Sequence, residues 1–405
     1  AAHSFAVSVH SICNKSYDDD AFDTLKRLFD ISDEEQKPIL VDAQDKWGWT
    51  PLHIAVHRKQ ARLIRLLLNR GANPNTANAK GETPLHKICE LCEIETIAVV
   101  NMCMIPFREV KERVQADIRD NKGNAPLHIA LDEGYKNLIE WLLRIGADPN
   151  CANKNGETAL HIIIDRHTGS LYDKELVEEF FKIVDDERLT LQIDVKNNSG
   201  RTPLQCAAAN LLPEVVGVLL DRGADLANFV FPTLCGEFGK DPEWKLTAPC
   251  RAVGVVEQLK GRGYELDRSH AMMIMKFLCR LRLFVRSVAG QKGWYDDSKA
   301  KNIMVKSDLS LHDLAHLRPE EVAKLLNYKD CLDLVTSEQF RKLPHRSRKA
   351  YTVYLGEITA RRFFLRWALD PFMELIHYRL PHLCCDMIIE NLENKDLYNI
   401  CLARS

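Results

Sequence analysis

Three things are scarce in this 405-residue chain, and each scarcity excludes a class of function. Charge of one sign is scarce: 55 Lys and Arg against 57 Asp and Glu leave a net charge of −2. That balance exerts no long-range pull toward nucleic acid or an anionic membrane surface. Long apolar runs are missing, since Ala207-Ala208-Ala209 and Phe229-Val230-Phe231 fall far short of the roughly 18 residues that suggest a spanning helix. Glycine-rich and nucleophile motifs are missing too. There is no phosphate loop, serine-hydrolase elbow or kinase catalytic set, and Gly261-Arg262-Gly263 lacks the third glycine of a dinucleotide fingerprint. No catalysis, cofactor or metal is expected, and neither nucleic acid nor membrane as a partner.

What is present is ordinary soluble composition, 46% hydrophobic and 28% charged, in a length that suits two or three domains. Thirteen cysteines, an odd number, are scattered through the chain. In a protein this long they read as reduced, mostly buried thiols of a cytoplasmic protein, with the nucleus open as a second compartment. The chain opens on Ala1 rather than Met, so a native N-terminus further upstream is expected.

A phrase recurs along the first half: Gly48-Trp49-Thr50-Pro51-Leu52-His53, Gly81-Glu82-Thr83-Pro84-Leu85-His86, Gly123-Asn124-Ala125-Pro126-Leu127-His128, Gly156-Glu157-Thr158-Ala159-Leu160-His161 and Gly200-Arg201-Thr202-Pro203-Leu204-Gln205. The glycines are spaced by 33, 42, 33 and 44 residues, a base period of 33 with two inserts. A second phrase follows it in register. Leu66-Leu67-Leu68-Asn69-Arg70-Gly71-Ala72 is echoed by Leu142-Leu143-Arg144-Ile145-Gly146-Ala147 and by Leu219-Leu220-Asp221-Arg222-Gly223-Ala224. Both phrases resemble the ankyrin repeat, a turn followed by two antiparallel helices.

The residue types have local reasons. Thr50 and its equivalents stand where a hydroxyl can cap free helix N–H groups, and the next proline suits the first helical position. Gly71, Gly146 and Gly223 stand where a left-handed residue ends the second helix. One unit cannot bury both of its faces, so neighbouring units must supply the core. Residues 87–121 and 162–198 carry the extra length at the second helix and its exit loop.

This gives an all-α solenoid of helix-turn-helix units with β-hairpin loops. Residues 1–44 form a degenerate cap repeat, with a helix over Ala21–Leu28, and 45–227 form five clear repeats. Residues 228–299 hold a degenerate repeat, with an insert near Gly239–Pro249, and a capping helix over Ala271–Val288. Residues 300–405 show no repeat period. They contain short helices opened by Ser310 and Pro319, an apolar stretch Phe363–Met373, and a helix begun by Pro381 whose face carries Ile388, Ile389 and Leu392. Asp396 is positioned to cap a final helix.

That ending, Leu380-Pro381-His382-Leu383 through Ile388-Ile389, Leu392 and Asp396-Leu397, resembles the F-box-like motif that closes the PRANC domain. PRANC domains follow ankyrin repeats in proteins of poxviruses and parasitoid wasps. The resemblance implies a monomeric adaptor. Leu380, Pro381, Leu383, Ile388, Ile389, Leu392, Asp396 and Leu397 would dock on the Skp-type linker of a cullin–RING ubiquitin ligase, while the array holds a host protein target. The alternative is a stoichiometric inhibitor that masks a partner as inhibitory ankyrin proteins hold NF-kappaB. The hairpin tips supply the target-facing set: Trp47, Trp49, Lys80, Glu82, Lys122, Asn124, Asn155, Glu157 and Arg201. Tryptophan is enriched among binding hot spots, and two of them at one turn are unusual.

Other clusters read as structural. His53, His86, His128 and His161 occupy one repeat position in four units, which suits hydrogen bonds to loop backbone. Cys89 and Cys92 have redox-motif spacing, but Cys89 falls on a repeat-core position. His312 with His316, and His377, His382, Cys384 and Cys385, read as surface and packing residues rather than zinc ligands. The stripe Met272, Met273, Lys276, Phe277, Arg280, Leu281, Phe284, Val285 reads as a cap packing on the last repeat. The basic run Arg341–Lys349 reads as a solvated linker.

Overall fold

The computed structural model describes residues 9–14, 18–91, 97–166, 172–234, 242–281, 298–306, 309–317 and 319–403. The chain divides into two compact units, residues 1–166 with 175–202, and 167–174 with 203–405. The break at 202/203 falls inside the fifth repeat phrase, upstream of the 227/228 boundary marked by the end of the repeat pattern.

In the first unit the phrases become helix pairs. The inner helices are α2 (Pro51–His57), α4 (Pro84–Glu90), α6 (Pro126–Glu133) and α8 (Ala159–Asp165). The outer ones are α3 (Ala61–Asn69), α5 (Ile97–Glu109), α7 (Lys136–Arg144) and α9 (Tyr172–Asp186), preceded by α1 (Asp18–Glu34). The two inserts lengthen α5 and α9 to 13 and 15 residues, against nine in α3 and α7. Inner helices stack on inner helices, α2 on α4 on α6 on α8, and α1, α3 and α5 stack as the outer layer. Leu63, Ile64, Leu67 and Leu68 on α3, and Leu138, Ile139, Leu142 and Leu143 on α7, are the buried stripes of outer helices at 3–4 residue spacing. α3 and α7 end where the second phrase places its glycine. Gly71 and Gly146 have φ of +92° and +98°, and the next amide bonds back to Leu67 and Leu142 at 3.0 Å each.

The loops between repeats are turns, not the strand-paired hairpins expected. In the first, Gly48 N–H donates to Asp45 and Asp45 N–H to Trp49, both at 2.9 Å, and the ladder goes no further. The reason is covalent: only three residues separate the pair, and the next residue is already a helix cap.

The second unit begins with α10 (Pro203–Ala209) and α11 (Pro213–Asp221). The expected sixth repeat is replaced by one 20-residue helix, α12 (Pro242–Gly261), so Pro242–Pro249 is helical rather than an insert loop. Gly239 lies outside the described residues. Gly254 lets α12 approach its neighbours: a Cβ there would fall 2.5 Å from the Tyr328 ring and 2.9 Å from Pro213 Cβ.

α13 (Arg268–Arg280) buries Ala271, Ile274, Met275 and Leu278, so the core face is rotated from the stripe through Met272, Met273, Lys276 and Phe277. It packs chiefly against C-terminal helices rather than on the last repeat. Phe284 and Val285 lie outside the described residues.

The remainder is helical except for a small antiparallel pair, β1 (Met304–Lys306) with β2 (Leu309–Ser310), which nothing in the sequence suggested. Helices α14 (Leu311–Leu314), α15 (Pro319–Leu325), α16 (Tyr328–Thr336) and α17 (Glu338–Arg341) lead to α18 (His345–Leu375). The basic run is therefore a helical corner, not a linker: Leu343 is buried in it and His345 opens the 31-residue α18. Tyr351, Leu355 and Ile358 of α18 meet Leu311, Val322, Cys331 and Phe340 in the core of this unit. α19 (His382–Ile389) and α20 (Asn394–Leu402) close the chain against α18.

Candidate functional site

The four repeat histidines are the joints of the first unit. His53 Nδ1 accepts the Thr50 backbone N–H at 3.1 Å, and its Nε2–H donates to the Glu82 carbonyl of the next turn at 3.0 Å. His86 joins Thr83 to Asn124 (3.0 and 3.0 Å), His128 joins Ala125 to Cys151 (3.0 and 2.9 Å), and His161 joins Thr158 to Arg201 (3.2 and 3.0 Å). This geometry requires a neutral ring with its proton on Nε2. Burial lowers the pKa of all four, and takes His53 down to about 4. Where Ala125 stands in place of the threonine there is no hydroxyl, and His128 still accepts the Ala125 N–H.

These joints hold the turns in a ladder. At the first tip Asp45 Oδ1 accepts the N–H groups of Trp47 (2.9 Å) and Trp49 (2.8 Å). Asn78, Asp120, Asn153 and Asn197 repeat this pair of bonds at the other four tips. Adjacent tips are bonded through the backbone: Ala79 N–H to the Trp47 carbonyl (3.0 Å), Asn121 to Lys80 (2.8 Å), Lys154 to Lys122 (3.1 Å) and Asn198 to Asn155 (2.8 Å). The glycine is what permits this. Gly123 sits at φ +82°, and a Cβ on it would lie 2.6 Å from the Lys154 amide nitrogen.

The ladder sorts the expected target-facing residues. Those before the glycine, Trp47, Lys80, Lys122 and Asn155, are exposed, Trp47 at 60%. Those after it turn toward the array. Trp49 packs edge-on to the His57 ring (5.4 Å between centroids) and accepts a hydrogen bond on its carbonyl from His10 (2.9 Å). Glu82 is buried, paired with Lys87 at 2.7 Å, while Lys87 also reaches Glu90 at 2.9 Å and lies over the Trp49 ring at 5.6 Å. Burial opposes the charge on Lys87, but its two carboxylate partners outweigh this and hold its pKa above the ordinary value. Asn124, Glu157 and Arg201 are half-buried: Glu157 accepts from Asn153 (2.8 Å), and Asn124 and Arg201 give their carbonyls to the histidines. Glu82 is thus part of the framework rather than of the exposed tips. Lys46 and Lys154 are exposed at the tips as well, and of the two Lys154 was not anticipated.

The second unit carries a different surface. α18 grips the corner between α19 and α20 through Arg361, which donates to the Leu392 carbonyl at 2.8 Å and also to that of Glu390, and Asn394 donates to the Glu357 carbonyl at 3.1 Å. Pro381 caps α19, and Cys385 and Ile389 are its inward residues. Leu383 (71% exposed) and Met387 (60%) form the opposite stripe, flanked by Leu380 (39%) and Ile388 (40%). Two expectations change here. Ile388 and Ile389 are neighbours on a helix, about 100° apart, so they lie on different faces. Ile389 is buried, Leu392 is half-buried and Leu397 is buried in the hold on α18. Asp396 caps the last helix from its third position, accepting the Glu393 N–H at 3.2 Å, with Glu393 as the capping residue. Met387 is the residue missed: it stands at i+4 from Leu383, a signal present in the sequence.

The remaining clusters are accounted for locally. His312 and His316 rings are 4.6 Å apart, with His316 Nδ1 at 2.8 Å from the His312 carbonyl. His382 pairs with Asp386 at 3.1 Å. Among the described residues eleven cysteines are free thiols, nine of them buried, including Cys89; Cys92 lies outside the described residues. No group of three or more metal-ligating side chains occurs among the described residues, and no described helix is long and apolar enough to cross a membrane.

Family models described as ankyrin repeats match residues 34–88 (many copies) and residues 80–153 and 127–229 (three copies). Among curated proteins the chain is 31% identical over 186 residues to human transient receptor potential cation channel subfamily A member 1, a stretch covering 45% of this chain and 15% of the channel. It is 34% identical over 108 residues to human NF-kappa-B inhibitor alpha (26% and 33% covered). It is 24% identical over 202 residues to the chicken nuclear factor NF-kappa-B p105 subunit (50% and 19% covered). The chain thus spans a third or less of each of these relatives. Among solved structures, the ankyrin repeat domain of Bcl-3 aligns at 21% identity with a TM-score of 0.44, over 54% of this chain and 86% of that one. With the helix pairs, histidine joints and glycine-permitted turns described above, the family-model matches show that residues 34–229 carry ankyrin repeats.

Proposed function

We propose that this chain is a non-enzymatic adaptor: the ankyrin array holds a protein target, and the α19 face docks on the Skp-type linker of a cullin–RING ubiquitin ligase. The observation that carries this reading is the exposed stripe Leu380, Leu383, Met387 and Ile388 on a helix anchored from behind by Cys385 and Ile389. A tail that merely capped the repeats would bury these side chains. An apolar helical face held rigidly in water is the form that helix-in-groove docking takes. The choice of linker rests on the PRANC-like ending. In this reading the ligase supplies the chemistry and the adaptor supplies proximity. The protein works as a monomer in the cytosol, where buried thiols such as Cys250 and Cys331 stay reduced, and its targets are host proteins.

A second reading, stoichiometric sequestration of a transcription factor by the array, is favoured by the 34% identity to NF-kappa-B inhibitor alpha. One experiment separates the two. The intact chain and a Leu383→Ser/Met387→Ser variant are titrated with the linker by calorimetry. Both substituted side chains are exposed, so folding is retained. The adaptor reading requires binding by the intact chain and a loss of tenfold or more in the variant, about 1.4 kcal/mol. An intact chain that leaves the linker unbound sinks it and leaves sequestration.

A further inference from the structure

Two nucleophilic side chains meet in the core of the second unit. Cys250 on α12 is 3% exposed and Cys331 on α16 is 1% exposed, and both are free thiols in one buried cluster. Thr359 of α18 lies against both: its Oγ1 is 3.5 Å from each sulfur, and its O–H donates to the Leu355 carbonyl at 2.8 Å. The two thiols are also hydrogen-bonded to one another.

The helices that carry them approach closely along this seam. Cys250, Gly254 and Gln258 recur every four residues and share one face of α12, while Tyr328 and Cys331, three apart, share one face of α16. These faces touch: Gln258 Nε2 donates to Tyr328 Oη at 2.7 Å, and a Cβ on Gly254 would fall 2.5 Å from the Tyr328 ring. Packed helix axes about 8–10 Å apart, with Cα atoms on a radius of about 2.3 Å, bring facing Cα atoms to roughly 4–6 Å. A disulfide spans about 4.4–6.8 Å between Cα atoms. The surroundings also distinguish the two sulfurs. The hydrogen bond from Cys331 holds Cys250 below the usual thiol range although burial opposes this, and Thr359 and the Arg251 charge act in the same direction. The same bond, with burial, pushes Cys331 up. Cys250 is therefore the thiol that ionises first, and the thiolate is the reactive form.

We propose that Cys250 and Cys331 form a peroxide-oxidisable pair, which closes into a disulfide tying α12 to α16 beside Thr359. The Cys250 thiolate attacks one oxygen of hydrogen peroxide, the O–O bond breaks, and the departing hydroxide takes the Cys250 proton and leaves as water. The Cys331 sulfur then attacks the sulfenic acid. The S–O bond breaks, the S–S bond forms, and the second hydroxide leaves as water with the Cys331 proton. Two thiols lose two electrons and the peroxide gains them. A dithiol reductant reverses the change, returning two electrons and two protons and becoming a disulfide itself. The pair is reduced at the resting cytosolic poise and changes state under a peroxide load. This site is independent of whether the chain recruits a ligase or sequesters a partner.

The test exposes the full chain to graded hydrogen peroxide, blocks the remaining thiols with iodoacetamide, and maps linked peptides by mass spectrometry without reduction. The 250–331 linkage within one chain is expected to form first. It is expected to raise the melting temperature by about 5 °C, a rise that dithiothreitol reverses. Cys331→Ser is expected to lose that rise and to leave Cys250 as a sulfenic acid that dimedone traps. Mapping on the unaltered chain decides the matter even where this variant fails to fold. No 250–331 linkage at peroxide levels that oxidise the exposed Cys384 overturns the proposal. So does a linkage formed first through other cysteines, or a melting rise that survives in Cys331→Ser.

Discussion

A histidine that both caps one helix and bonds the next turn makes each joint between repeats depend on a neutral ring. His53 has its pKa lowered, through burial, from 6.5 to about 4. The unfolded chain therefore binds more protons than the folded one between those values, and the stability this ring contributes is full above about pH 6.5 and lost as pH falls toward 4. For His53 alone the loss is about 3 kcal/mol. Denaturant midpoints measured from pH 7.5 to 4 are expected to fall, and to fall less steeply in His53→Gln; a parallel slope in the variant contradicts the assignment. The position of these histidines was legible because they repeat. Their partners were not, because the acceptors lie 23–40 residues away and only the folded turn brings them within reach. The fate of Glu82 was hidden for the same reason: Lys87 lies on α4, past the turn that holds Glu82, and only folding brings its ammonium to the Glu82 carboxylate and over the Trp49 ring of the preceding tip.

At the scale of elements, the two glycine classes have different work to do and so different tolerance. Gly146 ends α7 at φ +98° with open space around it, so Gly146→Ala costs only the left-handed backbone strain, about 1–2 kcal/mol. Gly123 adds backbone contact with the next tip, and Gly123→Ala is expected to cost at least about 3 kcal/mol, read from urea unfolding of each variant. Equal costs would show that the tips can part without penalty. Repeat helices and their ends were legible because one phrase, seen five times, averages out local ambiguity. Past residue 227 each signal occurs once. There Gly239–Pro249 read as an insert, although α12 runs from Pro242 through Pro249. The basic run Arg341–Lys349 read as solvent-facing linker because charge shows in a sequence while the burial of Leu343 beneath it does not. On α19 the apolar residues were all visible, but which of them face α18 depends on a neighbour with no sequence signature.

On the proposed reading, the molecule has two contact surfaces: a charged tip ladder on one compact unit and an apolar helical face on the other. On that reading two such surfaces join partners, and the chemistry belongs to one of them. The repeat architecture and the tips were legible from the sequence. The split at 202/203 was not, because the fifth repeat phrase runs through it unbroken. The most direct measurement is hydrogen–deuterium exchange of the intact chain with and without the Skp-type linker. The account predicts slowed exchange confined to residues 380–392, with the tips at 46–48, 79–81, 121–123 and 154–156 unchanged. Slowed exchange at the tips with none over 380–392, or none anywhere at saturating linker, would contradict it.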